Sequence, residues 1–208
     1  TIATPTYELI LPSTGKKVKY RPFLVKEEKV LILALESQDQ SEITNAVKDV
    51  LKKCIMTRGI KVDSLPTFDI EYIFLNIRAK SIGESIKVVV KCPDDGVTEV
   101  PVTIYVDEIE VSRPEGHTTD IVLDKTMTLR MKYPSLSQFI ESNFDVSMTP
   151  EETVEKTFKV IADCMDTVFT AEDAWEAKDY TAKERLAFIE QLNSKQYKDV
   201  ERFFSTMP

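Results

Sequence analysis

Residues 68–84 place apolar side chains on two opposite sides of a helix. At roughly 100° per residue, Ile70, Ile73, Phe74 and Ile77 share one side, and Phe68, Tyr72, Leu75 and Ala79 share the other. Two narrow polar seams, Asp69/Asn76/Lys80 and Glu71/Arg78, run between them. A helix apolar on two faces is covered by two layers, so this run is predicted to be a central core helix with its charges at the edges. Asp69 falls in the first turn, where a carboxylate suits the helix dipole, and Gly83 is the stop.

The period elsewhere alternates between 2 and 3.6. Tyr7 to Leu11 and Lys17 to Leu24 read as strands around the turn Pro12-Ser13-Thr14-Gly15. Val25 to Glu36 reads as a helix, and a second, capped by Ser41, runs to about Met56 with Ile43, Ala46, Val47, Val50, Leu51 and Cys54 as its buried stripe. After Gly83, Ser85 to Lys91 and Thr98 to Val106 form a hairpin around Cys92-Pro93-Asp94-Asp95-Gly96. Asp107 to His117 is a connector. A third hairpin follows at Asp120 to Leu123 and Met127 to Lys132.

The remainder is predicted to be mainly helical. One helix runs from Ser135 through Ser142, and a second starts at Thr149-Pro150-Glu151-Glu152 with Val154, Phe158, Ile161, Ala162 and Met165 inside. A third opens on the capping box Thr181 to Glu184, and the last spans Tyr197 to Phe204. The predicted class is α+β: N-terminal β-hairpins packed with three helices, then a mainly helical C-terminal part. The boundary gives domains at 1–112 and 113–208.

Composition is globular, with 42% hydrophobic and 30% charged residues in 208. A net charge of −8 speaks against nucleic acid as a partner, because binding through phosphate neutralisation needs an excess of cations. No apolar run approaches the roughly 18 residues of a membrane span, and no signal peptide is expected. Cys54, Cys92 and Cys164 are too few and too scattered for a disulfide framework, as suits a reducing cytoplasm. Cys92 begins half of a zinc knuckle, but Asp95 stands at its second cysteine position, so no metal and no cofactor are expected. His117 is the only histidine, and no nucleophile elbow, phosphate loop or zinc-protease motif is present, so no catalytic residue is assigned.

The marks Arg21-Pro22-Phe23, Lys26-Glu27-Glu28-Lys29, Phe68-Asp69-Ile70-Glu71-Tyr72 and Arg78-Ala79-Lys80-Ser81 through Gly83-Glu84 carry a resemblance. The chain resembles the baseplate protein family of T-even-type contractile-tailed phages, which contains baseplate hub subunits and hub assembly catalysts. The likeness is dense over residues 9–84 and looser beyond, and the closing Phe203 to Pro208 shares it. It implies a non-enzymatic component or assembly factor of the tail baseplate hub, with hub or tail proteins as partners. That work would take place in the host cytoplasm, in the virion baseplate, or in both. A homo-oligomer fits the same reading; nucleic acid and membrane do not. The alternative from another class is a tail-tip hydrolase with a carboxylate pair, which needs a cleft, two acids about 5 to 9.5 Å apart and one raised pKa.

Partner-binding residues are expected among aromatics set in charged surroundings and among cations of the family-like stretch. Trp175 lies in the acidic run Ala171 to Asp179, and Phe203 and Phe204 pair near the last helix's end. Arg21 and Lys26 complete the set.

Overall fold

Gly15 adopts a left-handed backbone (φ +69°) that closes the first turn, where its N–H donates to the Leu11 carbonyl at 2.8 Å. In the computed structural model, which describes residues 3–136, 138 and 149–208, that turn joins β1 (Tyr7–Ile10) to β2 (Lys17–Tyr20) as an antiparallel pair. The chain divides into two compact units, Thr1–Val111 and Ser112–Pro208. The α+β class holds.

In the first unit, α1 (Val25–Ser37), α2 (Gln40–Cys54) and α3 (Thr67–Ser81) follow the hairpin. The cap of α2 is Asp39 rather than Ser41, since the Asp39 carboxylate accepts the Glu42 N–H. β2 is tied to the end of α2: Arg21 N–H donates to the Cys54 carbonyl at 3.0 Å, and Met56 N–H to that of Lys19 at 2.7 Å. The central helix α3 is covered on both sides, as its pattern requires. Ile70, Ile73, Ile77 and Ala79 are buried, Phe68, Tyr72, Phe74 and Leu75 half-buried, and only Glu71 and Lys80 exposed.

Asp69 departs from expectation. It is fully buried rather than at an edge, because it accepts the backbone N–H of Ser13 at 3.0 Å and the Ser13 hydroxyl. β3 (Ser85–Lys91) and β4 (Glu99–Tyr105) then form the predicted hairpin, a two-stranded sheet by itself.

The second unit holds more sheet than its sequence predicts. β5 (Asp120–Val122), β6 (Thr128–Met131), β7 (Met165–Phe169) and β8 (Ala174–Glu176) form one antiparallel meander. The helix α4 (Pro150–Asp163) stops before Met165, where Cys164 closes it and the Lys132 N–H donates to the Cys164 carbonyl at 2.7 Å. One face of the sheet presents Ile121, Leu129, Met131 and Val168 to Ile161 and Ala162 of α4, Ile189 of α5 (Ala182–Glu190), and Val200 and Phe203 of α6 (Ser194–Ser205). α4, α5 and α6 each begin with a reciprocal capping box. Ser135 and Gln138 exchange two capping bonds; the rest of the helix expected through Ser142 lies outside the described residues.

Candidate partner-binding surfaces

Arg21 leaves the end of β2 where α1 begins, and its guanidinium turns inward. It meets Glu27 with Nη2 to Oε1 at 2.8 Å and Nη1 to Oε2 at 2.9 Å, while Oε2 also accepts the Leu24 N–H at 2.7 Å. Glu27 thus closes the first turn of α1 as the acid of a capping box does. The Arg21 hydrogen bonds hold its carboxyl below the usual range, against the opposing pull of burial. The buried Cys54 thiol sits beside this pair, 3.7 Å from Nη1, and burial pushes it up to about 11, so it stays a protonated thiol. Lys26, one residue away, is exposed.

Two further family-like marks meet in the same unit. The Phe23 N–H donates to the Ser81 hydroxyl at 3.1 Å, and Asp69 holds Ser13. Five of the residues that carry the resemblance, Arg21, Phe23, Glu27, Asp69 and Ser81, therefore take part in polar latches between segments up to 58 positions apart. They fix a scaffold.

In the second unit, Phe203 is buried and stacks on both His117 and Tyr133, with ring centres 5.5 and 5.4 Å away. Phe204 is half-buried and meets Phe203 edge-on at 5.0 Å. His117 Nδ1 lies 2.8 Å from the Thr206 hydroxyl and Nε2 2.8 Å from that of Tyr133. Since the Thr206 hydroxyl donates to the Arg202 carbonyl at 2.7 Å, it accepts from Nδ1–H, and Nε2 accepts from Tyr133. That network assigns one neutral tautomer. Burial lowers the His117 pKa in the same sense.

Trp175 stands on β8 opposite Val168 of β7 and is 39% exposed. It walls a groove of about 490 Å³ with Met127, Met165, Tyr180, Phe188, Glu184 and Arg185. Phe203 and Phe204 line no part of that groove. The structure joins the two phenylalanines to each other and leaves Trp175 at a separate place.

A further uncovered apolar surface lies in the first unit. On α1, only Ala34 is buried among the apolar residues, while Val25, Ile32, Leu33 and Leu35 are 81, 48, 55 and 61% exposed. The signal for this is in the sequence: Val30-Leu31-Ile32-Leu33-Ala34-Leu35 is apolar all round a helix, more than one layer can cover.

A family model described as T4 bacteriophage base plate protein matches residues 4–208. The chain belongs to that family. The match takes in both units, including the second, where the resemblance of individual marks was looser. No curated protein matches the chain, and no solved structure does. Within this base plate protein, no described helix is long and apolar enough to cross a membrane. Among the described residues, no three His, Cys, Asp or Glu side chains gather where they could hold a metal ion.

Proposed function

We propose that the chain works without catalysis, as a component or assembly factor of the base plate hub, by burying matched surfaces that order neighbouring hub or tail proteins. The observation that carries this is the uncovered apolar helix α1, held on a scaffold latched by Arg21–Glu27 and Ser13–Asp69. Apolar side chains exposed in such a group favour association over solvent. Trp175 and Phe204 supply aromatic anchors and Lys26 a cation at the rim, while Arg21 and Phe203 hold those surfaces from behind.

Hydrogen bonds hold the carboxyls of Glu27, Asp95, Asp120 and Asp124 below the usual range, Asp95 at about 2, the opposite of the raised acid that a hydrolase needs. Work in the host cytoplasm during assembly and residence in the virion base plate both follow from this role.

The test is quantitative mass spectrometry of purified particles beside infected-cell lysate. A fixed copy number per particle makes the chain a structural hub subunit; abundance in lysate without particles makes it an assembly factor. Clearance of peptidoglycan by the purified chain, abolished by an Asp or Glu substitution that preserves the fold, would replace this reading with the hydrolase.

A further inference from the structure

The hairpin β3–β4 has two unlike edges. Its hydrogen bonds are phased by two bonds at its ends, Cys92 N–H to the Thr98 carbonyl and Val106 N–H to the Glu84 carbonyl, each 2.8 Å. In the observed register the even-numbered residues of β3 therefore bond to β4, and Ser85, Lys87, Val89 and Lys91 aim N–H and C=O at the outer edge. On β4 the residue opposite Val89 is Pro101. Its missing N–H falls on the outer edge of β4, which is thereby closed to another strand. The outer edge of β3 is open: Ser85, Lys87, Val89 and Lys91 are all exposed.

The side chains say what fits there. Ile86, Val88 and Val90 pair with Ile104, Val102 and Val100 to make one face a ladder of β-branched residues, partly exposed on every rung. The other face of β3 carries Lys87 and Lys91, with Glu99 of β4 across from Lys91. An antiparallel pairing of β3 with β3 of a second copy would place Lys87 and Lys91 among the same two lysines, which like-charge repulsion disfavours.

We propose that the outer edge of β3 accepts an extended segment of another protein as a third strand, one that alternates β-branched apolar residues with acidic ones. The apolar residues extend the ladder, the acids face Lys87 and Lys91, and the backbone pairs with the open N–H and C=O groups of β3. The site is separate from the surfaces of α1 and Trp175, and its failure would leave the particle copy number unaltered.

The probe is a labelled nine-residue peptide alternating valine and glutamate with blocked ends, titrated into the full chain by fluorescence anisotropy. Saturable binding is expected, weakened at least about tenfold by Val89→Pro, which removes one outward donor and spares the inner ladder as Pro101 does. If Val89→Pro does not fold by circular dichroism, the exposed pair Lys87→Glu/Lys91→Glu serves instead and should exchange preference for the glutamate peptide with preference for its lysine counterpart. No binding, equal binding of both peptides, or binding undiminished in these variants overturns the proposal. Self-association of the unliganded chain that Val89→Pro abolishes would overturn the acidic partner in favour of a second copy.

Discussion

Arg21 and Glu27 are joined by two parallel hydrogen bonds of 2.8 and 2.9 Å across the corner between β2 and α1, with the carboxylate only 2% exposed. The same carboxylate takes the Leu24 N–H, so one side chain fixes both the entry angle of α1 and its first turn. That corner sets the direction in which α1 presents its exposed apolar residues.

Arg21→Met should destabilise the first unit by about 3 kcal/mol, since removing one partner leaves a buried carboxylate uncompensated. Urea unfolding followed by circular dichroism measures it. The pH dependence has a definite sign: the folded Glu27 pKa lies below its ordinary 4.5, so the pair's stabilisation is complete above that value. It is lost as pH falls through the folded pKa. In Arg21→Met this acid-side loss should shrink or reverse, because burial then favours the protonated acid.

His117 sets a second, milder pH dependence in the other unit. Burial lowers its folded pKa below the usual 6.5, and its two hydroxyl neighbours are arranged around the neutral ring. The unfolded chain therefore binds the proton first, and stability falls as pH drops from 6.5 toward the folded pKa. His117→Gln should flatten the thermal midpoint over that interval, measured by melting from pH 7.5 to 5. An unchanged slope would separate the ring from the effect.

Phe203 and Trp175 should respond in opposite ways. Phe203→Ala empties a buried site in the core beside His117 and Tyr133 and should cost about 4 kcal/mol. Trp175→Ala should stay within about 1 kcal/mol in thermal unfolding while weakening capture of base plate intermediates. A stability loss for Trp175→Ala as large as that for Phe203→Ala would make it a core residue.

The legible parts of the fold were those with a local physical cause. α3 showed both covered faces in its period, the hairpins showed their turn residues, and α4 and α5 showed their capping boxes, whereas the Asn193–Gln196 box went unread and α6 starts at Ser194 rather than Tyr197. β7 was hidden because Met165 continues the stripe of α4, and nothing in Met-Asp-Thr-Val-Phe marks the reversal at Cys164. β8 is Ala-Trp-Glu, too short for alternation to appear, so Trp175 reads only as an aromatic in an acidic run. Of the neighbouring cations Arg21 and Lys26, one turns inward and one outward. Sequence charge alone does not distinguish them, because the deciding partner, Glu27, is brought to Arg21 by a chain turn. Asp69 is a similar case, with its partner Ser13 distant by 56 positions.

Association through α1 is tested most directly by Ile32→Gln/Leu33→Gln/Leu35→Gln, supplied in infected cells to a phage lacking the functional chain. Assembled base plates are then counted by sedimentation and electron microscopy. The three side chains are about half exposed, so the purified variant should melt within a few degrees of the parent chain while base plate assembly fails. Normal assembly with the triple variant would contradict association through this helix.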